Sequence, residues 1–256
     1  MPGKYSLQPA LITVADQIGF LKQFFSNCFR KGFEWTEFFR QAYNVGYRST
    51  GIIALTGFIL GFVLTLQSEP TMKQFGATSM ISGMVSISVM REIGPVIVAL
   101  ICAGKISSSI GAELGSMNVT EQIDAMEVSG ANPMQYLVVT RILACTIMIP
   151  LLTIFADVIA LLGGFTATNL GGAMNPWLYF YKATTALEFA DVIPSFIKTI
   201  LFGFTIGFVG CYKGFHSNRG TESVGIAANS AVVTASVWII IIDAIVVQFT
   251  NMFVYA

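Results

Sequence analysis

The chain has 256 residues, of which 54% are hydrophobic and only 11% charged, with a formal net charge of +0 and a mean hydropathy of +0.71. A soluble domain carries about 25% charged residues, so this chain lacks the polar surface to face water all round. The balanced charge points away from a nucleic-acid partner, and four scattered cysteines with no CxxC pair beside a single histidine point away from a disulfide or metal framework.

The sequence therefore reads as an all-α integral membrane protein, because helices satisfy their own backbone polar groups in lipid. Charges interrupt the apolar residues near the N-terminus, so no cleavable signal is expected. Within residues 10–30, Leu11, Val14, Ile18, Leu21, Phe25 and Phe29 recur at helical spacing, with Lys22, Arg30 and Lys31 between them. That pattern predicts an amphipathic helix lying in the membrane interface; a soluble packing helix is the alternative. Residues 1–45 form this N-terminal region, and 46–256 the membrane domain. A span needs about 20 mostly apolar residues. Five stretches qualify, at 50–67, 80–108, 142–168, 194–213 and 231–255. Between the third and fourth lies NPWLYFYKA, whose Trp177, Tyr179 and Tyr181 are expected at headgroup level. Three glycine pairs, Gly57 and Gly61, Gly111 and Gly115, and Gly203 and Gly207, have GxxxG spacing. They serve packing within the chain, or a dimer face in one case.

With a cytoplasmic N-terminus, ten of the fourteen Lys and Arg residues fall inside: Lys4, Lys22, Arg30, Lys31, Arg40, Arg48, Lys105, Arg141, Lys213 and Arg219. The positive-inside rule then gives N-inside and C-outside.

Besides Lys105 and Lys213 at the inside ends, five charges lie within the predicted spans. Arg91 and Glu92 stand side by side in VMREIGPVIVAL; Asp157, Lys198 and Asp243 occupy the third, fourth and fifth spans. Each costs about 2.5–3.5 kcal/mol at a helix centre on insertion scales. They must pair, line a wet cavity or snorkel. Internal ion pairs would explain them structurally, and Lys198 lies near enough to a helix end to snorkel. A polar path for an amphiphile or an ion would explain Arg91, Glu92 and Asp243 functionally. A lipid headgroup, with a phosphate and sometimes an amine, suits a site of both signs. Gly94-Pro95 follows the pair, and proline removes a backbone donor and kinks a helix, as helices lining cavities often do.

The loop after the second span carries Glu113, Glu121, Asp124 and Glu127. Asn118 and Glu121 have capping-box spacing, and TEQIDAMEV predicts a short helix stopped by Gly130 and Pro133. Ile123 and Met126 fall on one side, carboxylates on the other. A helix this short persists only if it docks, either on its own protein or in a groove of another.

The run MREIGPVIVALICAGKISSSIGAELGSMNVTEQIDAMEVSGANP, with LTGFILGFVLTLQS before it and SVWIIIIDAIVV near the end, resembles the MlaE (YrbE-like) family of permeases, the membrane subunits of bacterial ABC transporters that move phospholipids with mammalian-cell-entry (MCE) proteins. The resemblance covers nearly the whole chain after about residue 45. It implies an interfacial helix plus five spans working as a homodimer in the bacterial inner membrane. It implies a short cytoplasmic coupling helix between the second and third spans, seated on an ABC ATPase through Glu113, Glu121, Gln122, Ile123, Asp124, Met126 and Glu127. Arg91, Glu92, Lys198 and Asp243 match charged positions around the family's lipid cavity, with Gly94 and Pro95 shaping the helix, and the outer face would meet periplasmic MCE subunits. Lys105 stands where many members carry arginine. The chain lacks a Walker A motif: ALICAGKI misses the first glycine and the Ser/Thr after lysine. No cofactor is expected in this chain; ATP and Mg belong to the partner ATPase. The competing reading is a gradient-driven secondary transporter or channel using Glu92 and Asp243, against which stands the lack of a visible internal repeat. A membrane enzyme would need a nucleophile and base or a metal cluster, and a passive scaffold would have no use for the buried charges beyond pairing.

Overall fold

The computed structural model describes residues 8–29, 32–171, 175–218 and 220–253, and all regular structure among them is helical. The side chains of Leu11 and Val14, all of Lys4, Arg30, Lys31 and Arg219, and the end of the predicted fifth span lie outside the described residues. In chain order the helices are α1 (Gln8–Cys28), α2 (Trp35–Gln74), α3 (Ile81–Ser88), α4 (Gly94–Cys102), α5 (Ser108–Val119), α6 (Gln122–Val128), α7 (Thr140–Gly171), α8 (Pro176–Thr185), α9 (Phe189–Phe215) and α10 (Thr221–Phe253).

Five stretches are long and apolar enough to cross a membrane: Trp35–Gln74, Thr78–Val119, Met134–Leu170, Phe189–Phe215 and Thr221–Met252. Each extends past the apolar run that identifies it in the sequence, because helices continue into the polar flanks. At 1.5 Å per residue, α2 is about 60 Å long, roughly twice the hydrocarbon thickness. Residue 45, where the sequence shifts from amphipathic to apolar, falls inside it. The second span is three α-helices joined by wide π turns at Val89–Ile93 and Ala103–Ser107.

The spans pack through their glycines. A methyl group on Gly61 would collide with the Ala160 carbonyl of α7, and one on Gly57 would come within 2.8 Å of the Ala156 carbonyl. Gly203 and Gly207 do the same on another side of α7, at the Cys145 carbonyl (2.6 Å) and Ile142 Cα (2.9 Å). Gly111 and Gly115 face Ala227 of α10 and Ser217. All three pairs thus meet neighbours within the chain.

α1 lies against α9. Phe20 and Phe24 are buried there, with ring centroids 5.7 Å from Phe208 and from Phe204, respectively. The stripe read from the sequence points the other way, with Ile18, Phe25 and Phe29 exposed. The helix therefore has two apolar faces, one packed on the bundle and one exposed. α8 corrects another expectation. Trp177 and Tyr181 are exposed, but Tyr179 is buried against Phe165 at 5.5 Å, and burial pushes its phenol up to about 12.

Candidate functional site

Three spans, the second, α9 and α10, converge on a charged cluster toward the end of the bundle away from α6. Lys198, nine residues into α9, lies about 13 Å along that helix and is buried. Its Nζ donates to Glu92 Oε2 at 2.7 Å, across from the first π turn. The same Nζ lies 2.9 Å from Asp243 Oδ1 on α10; that contact is off the hydrogen-bond axis, so it is charge attraction rather than an aligned bond. One ammonium thus joins carboxylates from two other spans, and Lys198 does not snorkel.

Arg91 points to a neighbouring pair of partners. Its Nη2 donates to Asn251 Oδ1 at 3.2 Å, and its Nη1 lies 3.8 Å from Asp191 Oδ1. Asp191 is also the third residue of α9, where it accepts from the Glu188 backbone N–H in a reciprocal cap. Asp191 and Asn251 are absent from the sequence reading. The spacing of Glu188 and Asp191 at the start of an apolar run was the available signal, but acids at helix starts are common for local reasons. Between these groups lies a cleft of about 10 Å³, lined by Arg91, Glu92, Asp191, Ser195 and Lys198, which is room for about one water. The cluster holds two cations and three carboxylates, with Lys198 and Asp191 buried and Arg91, Glu92 and Asp243 partly exposed.

The backbone at Gly94-Pro95 explains how Glu92 gets there. Gly94 N–H bonds back to the Val89 carbonyl, five residues earlier. In that wide register Pro95, lacking a donor, leaves the Met90 carbonyl open, and Ser195 Oγ donates to it at 2.6 Å. The π turn thus sets Arg91 and Glu92, and α9 supplies the missing hydrogen bond. Asp157 stands apart from the cluster. It is buried on α7, its Oδ1 without a hydrogen-bond partner and packed where a Gly94 side chain would be.

At the other end, the predicted short helix is α6, and Gly130 follows it with a φ of +80° that favours glycine. Ile123 is buried and Met126 half-buried, packed on the chain's own core. Gln122, Asp124, Glu127 and Val128 face outward. The capping-box reading fails. α5 runs on through Asn118, whose side chain donates to the Ser217 carbonyl at 2.6 Å, and Glu121 precedes α6 in a left-handed turn (φ 56°). Glu113 lies on α5 rather than α6 and pairs at 2.8 Å with the fully buried Arg141. Among the described residues no group of His, Cys, Asp and Glu is arranged to hold a metal.

A sequence profile of the family described as "Permease MlaE" matches residues 38–249. A probable ABC transporter permease protein of Rickettsia typhi is 38% identical over 209 residues, covering 82% of this chain and 81% of that protein. One of Synechocystis is 35% identical over 191 residues, 75% of this chain and 73% of its own length. The Arabidopsis thaliana protein TRIGALACTOSYLDIACYLGLYCEROL 1, chloroplastic, is 30% identical over 215 residues, 84% of this chain and 61% of the plant protein. The profile spans α6, α9 and most of α10, and the chain belongs to the MlaE family of ABC transporter permeases.

Proposed function

We propose that the chain moves phospholipids between the bacterial inner membrane and a periplasmic MCE-domain protein, as the homodimeric, multi-pass permease of an ATP-driven transporter. The observation that carries this reading is the Glu92–Lys198–Asp243 constellation. Opposite charges from three separate spans meet in a cleft with room for about one water, so a headgroup enters only when helices part and their ion pairs exchange partners. The family implies an ATPase partner, and the plant relative is named for a diacylglycerol lipid. ATP and Mg sit in that partner, and this chain supplies the path. The N-terminus and α6 face the cytoplasm; α8 and the end of α10 face the periplasm. α6 seats on the ATPase through Glu121, Gln122, Asp124 and Glu127, with Ile123 and Met126 anchoring it to the bundle. Movement of α6 passes through α5 and the π turns to Glu92.

Co-reconstitution with the ATPase, with fluorescent phospholipid in the vesicles and an MCE acceptor outside, tests the reading. Lipid transfer should require ATP, and Lys198→Met should abolish transfer while the ATPase still co-purifies. Transfer that proceeds without the ATPase and stops when an ionophore collapses the ion gradient would establish the secondary-transporter reading instead.

A further inference from the structure

A second cavity opens at the end of the bundle that carries α6, between α2 and the second span. It measures about 370 Å³ and is lined by Gln41, Asn44 and Arg48 of α2 and by Lys105, Ser109 and Glu113 across from them. Its charges do not cancel. Glu113 is taken by Arg141 at 2.8 Å. Glu37, one turn from Gln41, is taken by Arg40 at 3.4 Å and by the Gln41 amide at 2.7 Å. Each nearby acid thus has its own internal partner. Lys105 donates to the main-chain carbonyl of Arg48, a neutral acceptor. Among the described residues neither Arg48 nor Lys105 forms an ion pair, so two positive charges face one polar cavity.

Two further observations say what fills it. Lys105 rides on the second π turn, Ala103–Ser107, and such wide turns are frequent at functional sites. Arg48 heads a stripe of α2 that continues through Ile52, Leu55 and Ile59, all exposed, at helical spacing. Beside it Tyr43 and Tyr47 stack at 5.0 Å, both exposed, as amphipathic rings do at headgroup depth. A fork of guanidinium donors with an ammonium beside it matches a phosphodiester, and the apolar stripe below it matches acyl chains.

We propose that this cavity is a headgroup site for an anionic phospholipid of the cytoplasmic leaflet, with Arg48 and Lys105 on the phosphate and the chains along Ile52, Leu55 and Ile59. It is separate from the Lys198 cluster, which lies toward the opposite end, and its cytoplasmic placement rests on the orientation proposed above. Basic pockets between spans on that side are suited to acidic headgroups.

The test is native mass spectrometry of delipidated full-length protein titrated with phosphatidylglycerol or phosphatidylcholine. In the double variant Arg48→Gln/Lys105→Gln, apparent affinity for phosphatidylglycerol should fall about 20–30-fold, phosphatidylcholine, whose ammonium offsets its phosphate charge, should lose less, and Arg48→Lys should retain most binding. Undiminished phosphatidylglycerol binding in a monodisperse double variant overturns the site. Displacement of the adduct by inorganic phosphate alone would make it a free-anion pocket. Loss of ATPase association with lipid binding intact would make it a partner contact. Lys198→Met in the same titration separates the two readings: lipid lost there but kept in the double variant sinks this site and leaves the permease cluster standing.

Discussion

Lys198 is the residue on which the candidate site turns, because two carboxylates share it. Removing a shared cation leaves both acids uncompensated in a low-dielectric setting, whereas removing one acid leaves a pair intact. Lys198→Met should therefore cost about 3–5 kcal/mol of stability, and Asp243→Asn less, because the Lys198–Glu92 hydrogen bond survives it. Thermal unfolding in detergent gives the ranking, and a Lys198→Met variant as stable as Asp243→Asn would show that the lysine is not the hub. The charged residues themselves are legible in the sequence, since Arg91, Glu92, Lys198 and Asp243 interrupt apolar runs. Their pairing is not: Glu92 and Lys198 are 106 positions apart, and only helix adjacency decides who meets whom. Asp157 shows the same limit. Its burial is readable, but its position against Gly94 rather than in the cluster follows from the α4–α7 contact.

At the scale of elements, the second span is the least regular of the five and the most informative. Proline alone predicts a kink there; the chain accommodates Pro95 with a wide turn, a usual place for a helix to bend, and borrows a donor from α9. Ser195→Ala orphans the Met90 carbonyl in an apolar setting, at about 1–3 kcal/mol. Hydrogen exchange over residues 89–95 should then accelerate by at least tenfold while α7 keeps its protection, and equal exchange would mean that the serine contributes nothing to holding the turn. The short helix α6 was readable from its pattern and its glycine stop. Its N-terminal geometry was not, because α5 overran Asn118 and gave that side chain a partner in Ser217. α1 was readable as amphipathic, but its second apolar face, Phe20 and Phe24, has the same spacing as the first, and periodicity cannot say which face meets protein.

For the whole molecule, the count of spans was legible because each is a long apolar run, and their true lengths were not, because polar flanks carry no hydropathy signal. The ten inside cations of the orientation argument do not weigh equally. Arg141 is buried and paired rather than facing a membrane surface, while Lys22, Arg40, Arg48 and Lys105 are exposed. The orientation has a direct test with single cysteines in a background stripped of the four native ones. Trp177→Cys on α8 and Val128→Cys on α6, both at highly exposed positions, sit at opposite ends of the bundle. A membrane-impermeant maleimide should label the first in intact cells and the second only after the membrane is permeabilised. The reverse order would invert the topology and place the Arg48–Lys105 cavity outside.

The order in which the charged cluster is synthesised bears on how this chain enters a membrane at all. At about 5–20 residues per second, the 106 positions between Glu92 and Lys198 represent about 5–20 s during which the second span has left the ribosome and its countercharge does not yet exist. Asp191, the partner of Arg91, arrives just before Lys198, and Asp243 later still. Through that interval Arg91 and Glu92 have only each other as neighbouring opposite charges, and the long apolar remainder of their span carries the insertion cost. Adjacent side chains on a helix do not face each other, so Arg91 and Glu92 gain close partners only when α9 and α10 arrive.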